Sequence, residues 1–238
     1  MVLYCVLTAF RARCNKGANL ILAKLKAILF YNGLIRYIIE GNLKLTYENI
    51  SFLALGASFA TSEEKQSTMP RVAFVVVIAF WLIFSLAFPL KYRERLQDKD
   101  MIVKYGAMYD SIKTDSMWPA TYTFVFCLRR FLLVLASIFL ENPDRPWVML
   151  YALLALFTVN FAYLTNAKAN EEKVMNWTEY INEICLIGLV YTMLFFDRTN
   201  QLDADVVWDA GTGTIALLAF CFCINFAYLL VNSIRKMI

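Results

Sequence analysis

Two adjacent arginines, Arg129 and Arg130, stand mid-way along a run, residues 119–140, that carries no other charge until its end. If this run crosses a bilayer, each guanidinium costs about 2.5–3.5 kcal/mol unless it is paired or wetted. Neighbouring side chains on a helix diverge by about 100°, so the two cannot share one groove. Carboxylates are their natural partners. Glu179 and Glu183 lie in the first turns of a later apolar run, 178–196. Matching depths along two helices that begin on the same side puts Glu183 about 7 Å nearer that side than Arg129, within reach of an arginine. Glu183, then Glu179, is the expected partner. A structural brace and a gating or permeation element both satisfy this spacing.

A second constellation lies in the last apolar run, 210–234. Thr214, Leu218, Cys221, Asn225, Tyr228 and Asn232 follow a 4-3-4-3-4 spacing, which puts them on one helical stripe. Amides are costly in hydrocarbon, so such a stripe faces water or another helix. It either lines a pore or holds helices together, and Asn160 admits the same two readings. Just before it, Asp209-Ala-Gly-Thr-Gly-Thr214 is glycine-rich but lacks the lysine of a phosphate loop. The linker between the last two runs is short for a pore helix and filter, so this segment reads as a helix start.

Other chemistries lack their residues. The chain has no histidine, which excludes imidazole ligation of a metal or haem and histidine acid–base catalysis. Of the six cysteines, Cys127, Cys185, Cys221 and Cys223 fall inside apolar runs, while Cys5 and Cys14 lie near the start. No C-x-x-C occurs, and the pattern is that of packed thiols. No metal cluster, catalytic triad or dinucleotide motif is present. Neither enzymatic activity nor a cofactor or metal is expected.

The elements that position these residues follow from composition. Of 238 residues, 60% are hydrophobic and 18% charged, with a mean hydropathy of +0.55. Soluble domains are about 45–50% apolar and about 25% charged. The excess comes in blocks: 72–90, 147–166 and 210–234 carry no charge, and about 20 apolar residues suffice to cross the hydrocarbon. Three weaker runs, 43–60, 119–140 and 178–196, complete an all-α polytopic membrane domain of six spans over residues 43–238. Residues 1–42 form an N-terminal cytoplasmic segment whose 20–39 stretch suits an interfacial helix. There Arg11, Arg13, Lys16, Lys24 and Lys26 would meet anionic lipid head groups. Pro119 follows Asp115 and Ser116 as a first-turn proline, Pro70 opens the second span in the same way, and Glu141-Asn142-Pro143-Asp144-Arg145-Pro146 makes a tight hairpin turn.

Charge counting orients this arrangement. With both termini cytoplasmic, seventeen of the 23 Lys and Arg residues fall on inner segments and four on outer loops; the other two are Arg129 and Arg130. The outer loops carry Glu63, Glu64, Glu141, Asp144, Asp197, Asp203, Asp205 and Asp209, an electronegative face that attracts cations. The sequons at Asn49 and Asn176 fall at the inner edge and are expected to be unglycosylated.

Several segments together resemble the transient-receptor-potential-like C-terminal domain family of fungal and ciliate membrane proteins. They are Tyr31-Asn-Gly-Leu-Ile-Arg-Tyr-Ile-Ile-Glu-Gly41, Lys104-Tyr-Gly-Ala-Met-Tyr109, Leu128-Arg-Arg-Phe131, and Asn182-Glu-Ile-Cys185 with Tyr191. Gly211 and Asn225 extend the likeness, which covers most of residues 27–233. The resemblance implies a helical, channel-like domain of the plasma or ciliary membrane. The leading expectation is therefore a channel-like or sensory membrane domain. The alternative is an accessory or anchoring subunit of a larger assembly, with the mitochondrial inner membrane as one setting. Membrane lipids, other membrane subunits or further copies of the chain, and cations are the expected partners; nucleic acid is not.

Overall fold

A computed structural model describes residues 32–56, 62–109, 111–141, 145–196 and 203–237. Arg11, Arg13, Lys16, Lys24, Lys26 and the first part of the expected interfacial helix lie outside the described residues. Among the described residues there are eight α-helices and no strand. They are α1 (Gly33–Gly56), α2 (Ser62–Tyr92), α3 (Lys99–Tyr105), α4 (Met117–Ala120), α5 (Tyr122–Phe139), α6 (Pro146–Ala167), α7 (Lys173–Met193) and α8 (Ala204–Met237).

Five segments are long and apolar enough to cross a membrane: Gln66–Arg95, Tyr122–Phe139, Pro146–Ala167, Lys173–Phe196 and Ala204–Val231. They belong to α2, α5, α6, α7 and α8, an arrangement compatible with an α-helical integral membrane protein. Helix α1 is long enough at 24 residues but is not among them. Arg36, Glu40, Lys44 and Glu48 recur every fourth residue along its exposed side, and Lys44 reaches Glu48 at 3.9 Å. The opposite side buries Ile35, Asn42, Thr46 and Ile50, a stripe with the helical period.

Several expected boundaries shift. Residues 33–42 continue into the same helix as 43–56, so no break separates the N-terminal segment from the first apolar run. Helix α2 begins at Ser62 and carries Pro70 inside it rather than at its start. The 119–140 run is interrupted at Thr121, where φ −86° and ψ 4° separate α4 from α5. Helix α8 begins at Ala204, so Asp209–Thr214 lies within it instead of opening it. In α1, α2 and α8 the helix extends through the residues ahead of the apolar run, whereas at Thr121 the run itself is broken.

Two helix groups share α5. In the first, α1 and α2 form an antiparallel hairpin: Arg71 on α2 donates to the Glu48 carbonyl at 3.5 Å and covers the Phe52 ring at 3.9 Å. Both pack on α5. In the second, α5, α6, α7 and α8 pack in sequence, each against the next, with α5 and α7 facing one another across a cavity. A connector, the described residues 93–109 and 111–121 between α2 and α5, closes the end at which α5 and α7 begin. Asn32 donates to the Val103 carbonyl at 2.9 Å and accepts from the Ala107 N–H at 3.1 Å, while Thr123 of α5 donates to the Met108 carbonyl. Ser111 and Lys168, both in the left-handed region at φ 62° and 44°, bend two loops so that Ile112 and Asn170 bridge. The Asn176 side chain closes that bridge, accepting from Asn170 N–H at 3.0 Å and donating to its carbonyl at 2.9 Å. Its buried amide is thereby occupied.

The connector core contains Leu96, at 0% exposure, and Met108. Tyr109 packs beside it with its hydroxyl buried and unpartnered, and burial pushes its phenol from 10.0 up to about 12. An unfolded chain ionises this phenol near pH 10, and the folded one resists. Its contribution is therefore intact below pH 10 and is lost as pH rises toward 12. Tyr109→Phe should leave stability at pH 7 unchanged or slightly improved. It should also delay the alkaline loss of helicity followed by circular dichroism between pH 10 and 12.

Candidate functional site

Four helices each turn one face toward a common cavity of about 470 Å³. From α5 come Tyr122, Val125, Phe126 and Arg129, and from α7 Glu179, Asn182, Glu183 and Leu186. Both sets follow the i, i+3, i+4, i+7 spacing of a single helical face. Asn160, Tyr163 and Leu164 of α6 and Cys221 and Asn225 of α8 complete the lining. Apart from Leu186, they lie in the first half or at the middle of α5 and α7 and in the second half of α6, so the cavity occupies mainly the half of the bundle next to the connector.

Its centre is an ion pair. Arg129 Nη1 contacts Glu183 Oε1, with the glutamate side chain at 5% and the arginine side chain at 19% exposure. Taking two charges out of water is expensive, and their attraction roughly offsets that cost only where the geometry is close. Glu183 keeps its second oxygen, Oε2, buried and without a hydrogen-bond partner. Glu179 is not the partner of either arginine in direct contact. Its Oε1 accepts from the Tyr122 hydroxyl at 2.5 Å, and its Oε2 is also buried without a hydrogen bond.

Arg130 leaves the cavity face, as the 100° step requires. Its Nη1 donates to the carbonyls of Ile39 at 2.9 Å and Glu40 at 3.3 Å on α1, and its guanidinium lies 4.1 Å from the Phe126 ring centroid. The two arginines therefore brace α5 against different neighbours.

The polar stripe of α8 turns toward α7 over much of its length. Asn225 and Asn182 exchange hydrogen bonds of 2.7 and 3.1 Å, the Cys221 thiol donates to Asn182 Oδ1 at 3.3 Å, and Thr214 donates to Thr192 at 3.0 Å. Of the two readings of this stripe, helix-to-helix bonding describes these residues. Tyr228 is half-buried and Leu218 exposed; the side chain of Asn232 lies outside the described residues. Asn160 is 7% exposed and lines the cavity.

Tyr122, Tyr163 and Asn182 are cavity residues that the spacing argument missed. Asn182 had a signal: with Glu179 and Glu183 it forms an i, i+3, i+4 polar cluster in an apolar helix. The tyrosines had none, because tyrosine near a helix end is common at any membrane interface. Among the described residues, no cluster of three or more His, Cys, Asp or Glu side chains is placed to hold a metal ion.

Compared with known proteins, the chain matches no family model, no curated protein and no solved structure.

The pairing yields an ordered expectation. Glu183→Gln leaves Arg129 buried and uncompensated and should destabilise the protein by about 3–5 kcal/mol. Glu179→Gln keeps an acceptor for Tyr122 and should cost about 1 kcal/mol or less. The Arg129→Met, Glu183→Leu double variant should lie well above the Glu183→Gln variant. Thermal unfolding in detergent, followed by far-ultraviolet circular dichroism, measures the order; equal effects of the two glutamate substitutions would remove Glu183 as the brace.

Proposed function

We propose that this chain is a non-enzymatic, channel-like sensory domain of a membrane, with the α5–α8 cavity as its sensing element. The observation that carries the reading is the convergence of four helix faces on one polar cavity. A purely anchoring bundle has no use for two carboxyl groups, an arginine and three amides around a space of this size, since each polar group raises the cost of burial. The resemblance to transient-receptor-potential-like domains supports the same reading.

In this proposal α1 crosses the membrane as a sixth span. Its buried stripe faces α2 and α5, and its charged residues face water or further subunits. Both termini then lie on the cytoplasmic side with the connector, and the cavity opens in the cytoplasmic half. The positive-inside count and the position of the connector support that orientation. The basic residues of the N-terminal segment would lie against anionic lipid head groups there. The plasma or ciliary membrane is the favoured setting.

A second reading, an accessory subunit of a larger assembly, has its own support. Helix α8 packs on α7 and the turn that follows it and exposes Trp208, Ile215, Phe222, Phe226 and Leu229. Such a face takes lipid, another copy or a foreign subunit.

Reconstitution separates the two. The purified chain in proteoliposomes should form a homo-oligomer that passes monovalent cations, with flux altered several-fold by Asn225→Leu, which unpairs Asn182 in the cavity wall. Recovery as a single copy among unrelated subunits, with no flux above empty liposomes, would overturn the channel-like reading in favour of the accessory one.

A further inference from the structure

We infer that the α5–α8 cavity is a binding site for an organic ammonium, an amine protonated at neutral pH and carried on an apolar body. The inference deepens the sensory reading and rests on it only for the consequence of binding, not for binding itself.

Charge is the first argument. Two carboxyl groups, Glu179 and Glu183, face the cavity, while of the two arginines only Arg129 lines it; Arg130 points away to the Ile39 and Glu40 carbonyls of α1. With both carboxyl groups ionised, one added cation balances the charges that line the cavity. Unfilled acceptor capacity is the second. Glu183 is 4% exposed, and its Oε2 is buried with no hydrogen-bond partner, whereas the Glu179 carboxyl has the Tyr122 hydroxyl and the Asn170 amide beside it. An unsatisfied carboxylate oxygen in such surroundings is costly, and an N⁺–H donor relieves it with a charge-assisted hydrogen bond.

Size and walls decide the class of cation. A volume of about 470 Å³ lies in the range of small-molecule pockets and far above what a bare ion fills. A hard metal ion demands six or more oxygen ligands in a tight shell, and no cluster of three acidic or sulfur ligands exists among the described residues. Besides the amides of Asn160, Asn182 and Asn225, the walls include Val125, Leu164 and Leu186, which suit a hydrocarbon body, and the aromatic residues Tyr122, Phe126 and Tyr163, a residue type whose ring faces attract cations. The ammonium would lie between the two glutamates and the body against α5 and α6. A soluble amine and the ethanolamine head group of a phospholipid share this chemistry.

The full chain in phosphatidylcholine nanodiscs, titrated with 2-phenylethylammonium by calorimetry, tests the site. Saturable one-to-one binding is expected, with no saturable heat from the neutral 2-phenylethanol. Glu179→Gln should weaken binding by at least about tenfold, the worth of one charged hydrogen bond. Val125→Phe, which fills the cavity and leaves every carboxylate in place, should abolish it; circular dichroism confirms that both variants fold. Competition by phosphatidylethanolamine in the nanodisc would identify the lipid head group as the source, and its absence a soluble amine. Equal binding of the alcohol, indifference to Glu179→Gln, or displacement by stoichiometric calcium or sodium would each overturn the assignment. Binding without cation flux in proteoliposomes would leave the site standing and sink only the channel-like reading.

Discussion

The contact between Arg129 and Glu183 is the constraint from which the rest of the bundle follows. In hydrocarbon, apolar helices gain little by touching each other, because lipid tails are as apolar as leucine. Helices α5 and α7 are separated by a cavity and cannot rely on close side-chain packing. The buried ion pair fixes their depth and rotation relative to each other. Once Glu183 is held at Arg129, Glu179 one turn earlier meets Tyr122. Asn182, on the same face of α7, is left to meet Asn225 of α8. The net worth of such a pair is small, but losing one member is expensive, so the pair acts more as a register than as a store of stability.

The adjacent arginine gives the second half of that register. Helix α5 belongs to both helix groups, and two neighbouring residues on it serve one group each. Arg129 enters the α5–α8 cavity, and Arg130 reaches the carbonyls of Ile39 and Glu40 on α1. The 100° step between consecutive residues, which forbids the two from sharing a groove, is what lets one helix hold two sets of neighbours. The connector reinforces the same end of the bundle through Asn32 and Thr123. Polar contacts thus concentrate at the end where α5 and α7 begin, and the opposite end is held mainly by apolar packing around Leu150, Phe157 and Val190.

How much of this was legible in the sequence depended on whether the determinant was local. The apolar runs of α2, α6 and α8 announce themselves by length and absence of charge, because bilayer thickness is a one-dimensional constraint. The proximity of Arg129 to Glu183 was also readable, since depth along parallel-running helices is nearly one-dimensional too. The partner of Arg130 was not: it bonds backbone carbonyls, which every residue owns and no sequence marks. Helix α1 was divided into an interfacial and a spanning piece because its charges break the hydropathy signal. Its hydrogen-bonded backbone passes through them without interruption, since a four-residue charge spacing keeps Arg36, Glu40, Lys44 and Glu48 off the buried side. The cavity itself could not be read. It exists because four faces converge, and each face alone looks like ordinary helix packing.

The disposition of α8 bears on which kind of membrane domain this is. Its hydrogen-bonding side chains Thr214, Cys221 and Asn225 are spent on α7, and the side left free is built from Ile215, Phe222, Phe226 and Leu229. A pathway running along that free side would be walled by hydrocarbon and would exclude ions by dewetting rather than conduct them. Opening it would require α8 to rotate and give up its bonds to Asn182 and Thr192. The bonds to Asn182 border the cavity, and the Thr192 bond lies away from it. Asn182 joins the two: its amide belongs both to the cavity wall and to the contact that anchors α8 on α7, so a sensory role of the cavity, as proposed, would act on α8 through this residue.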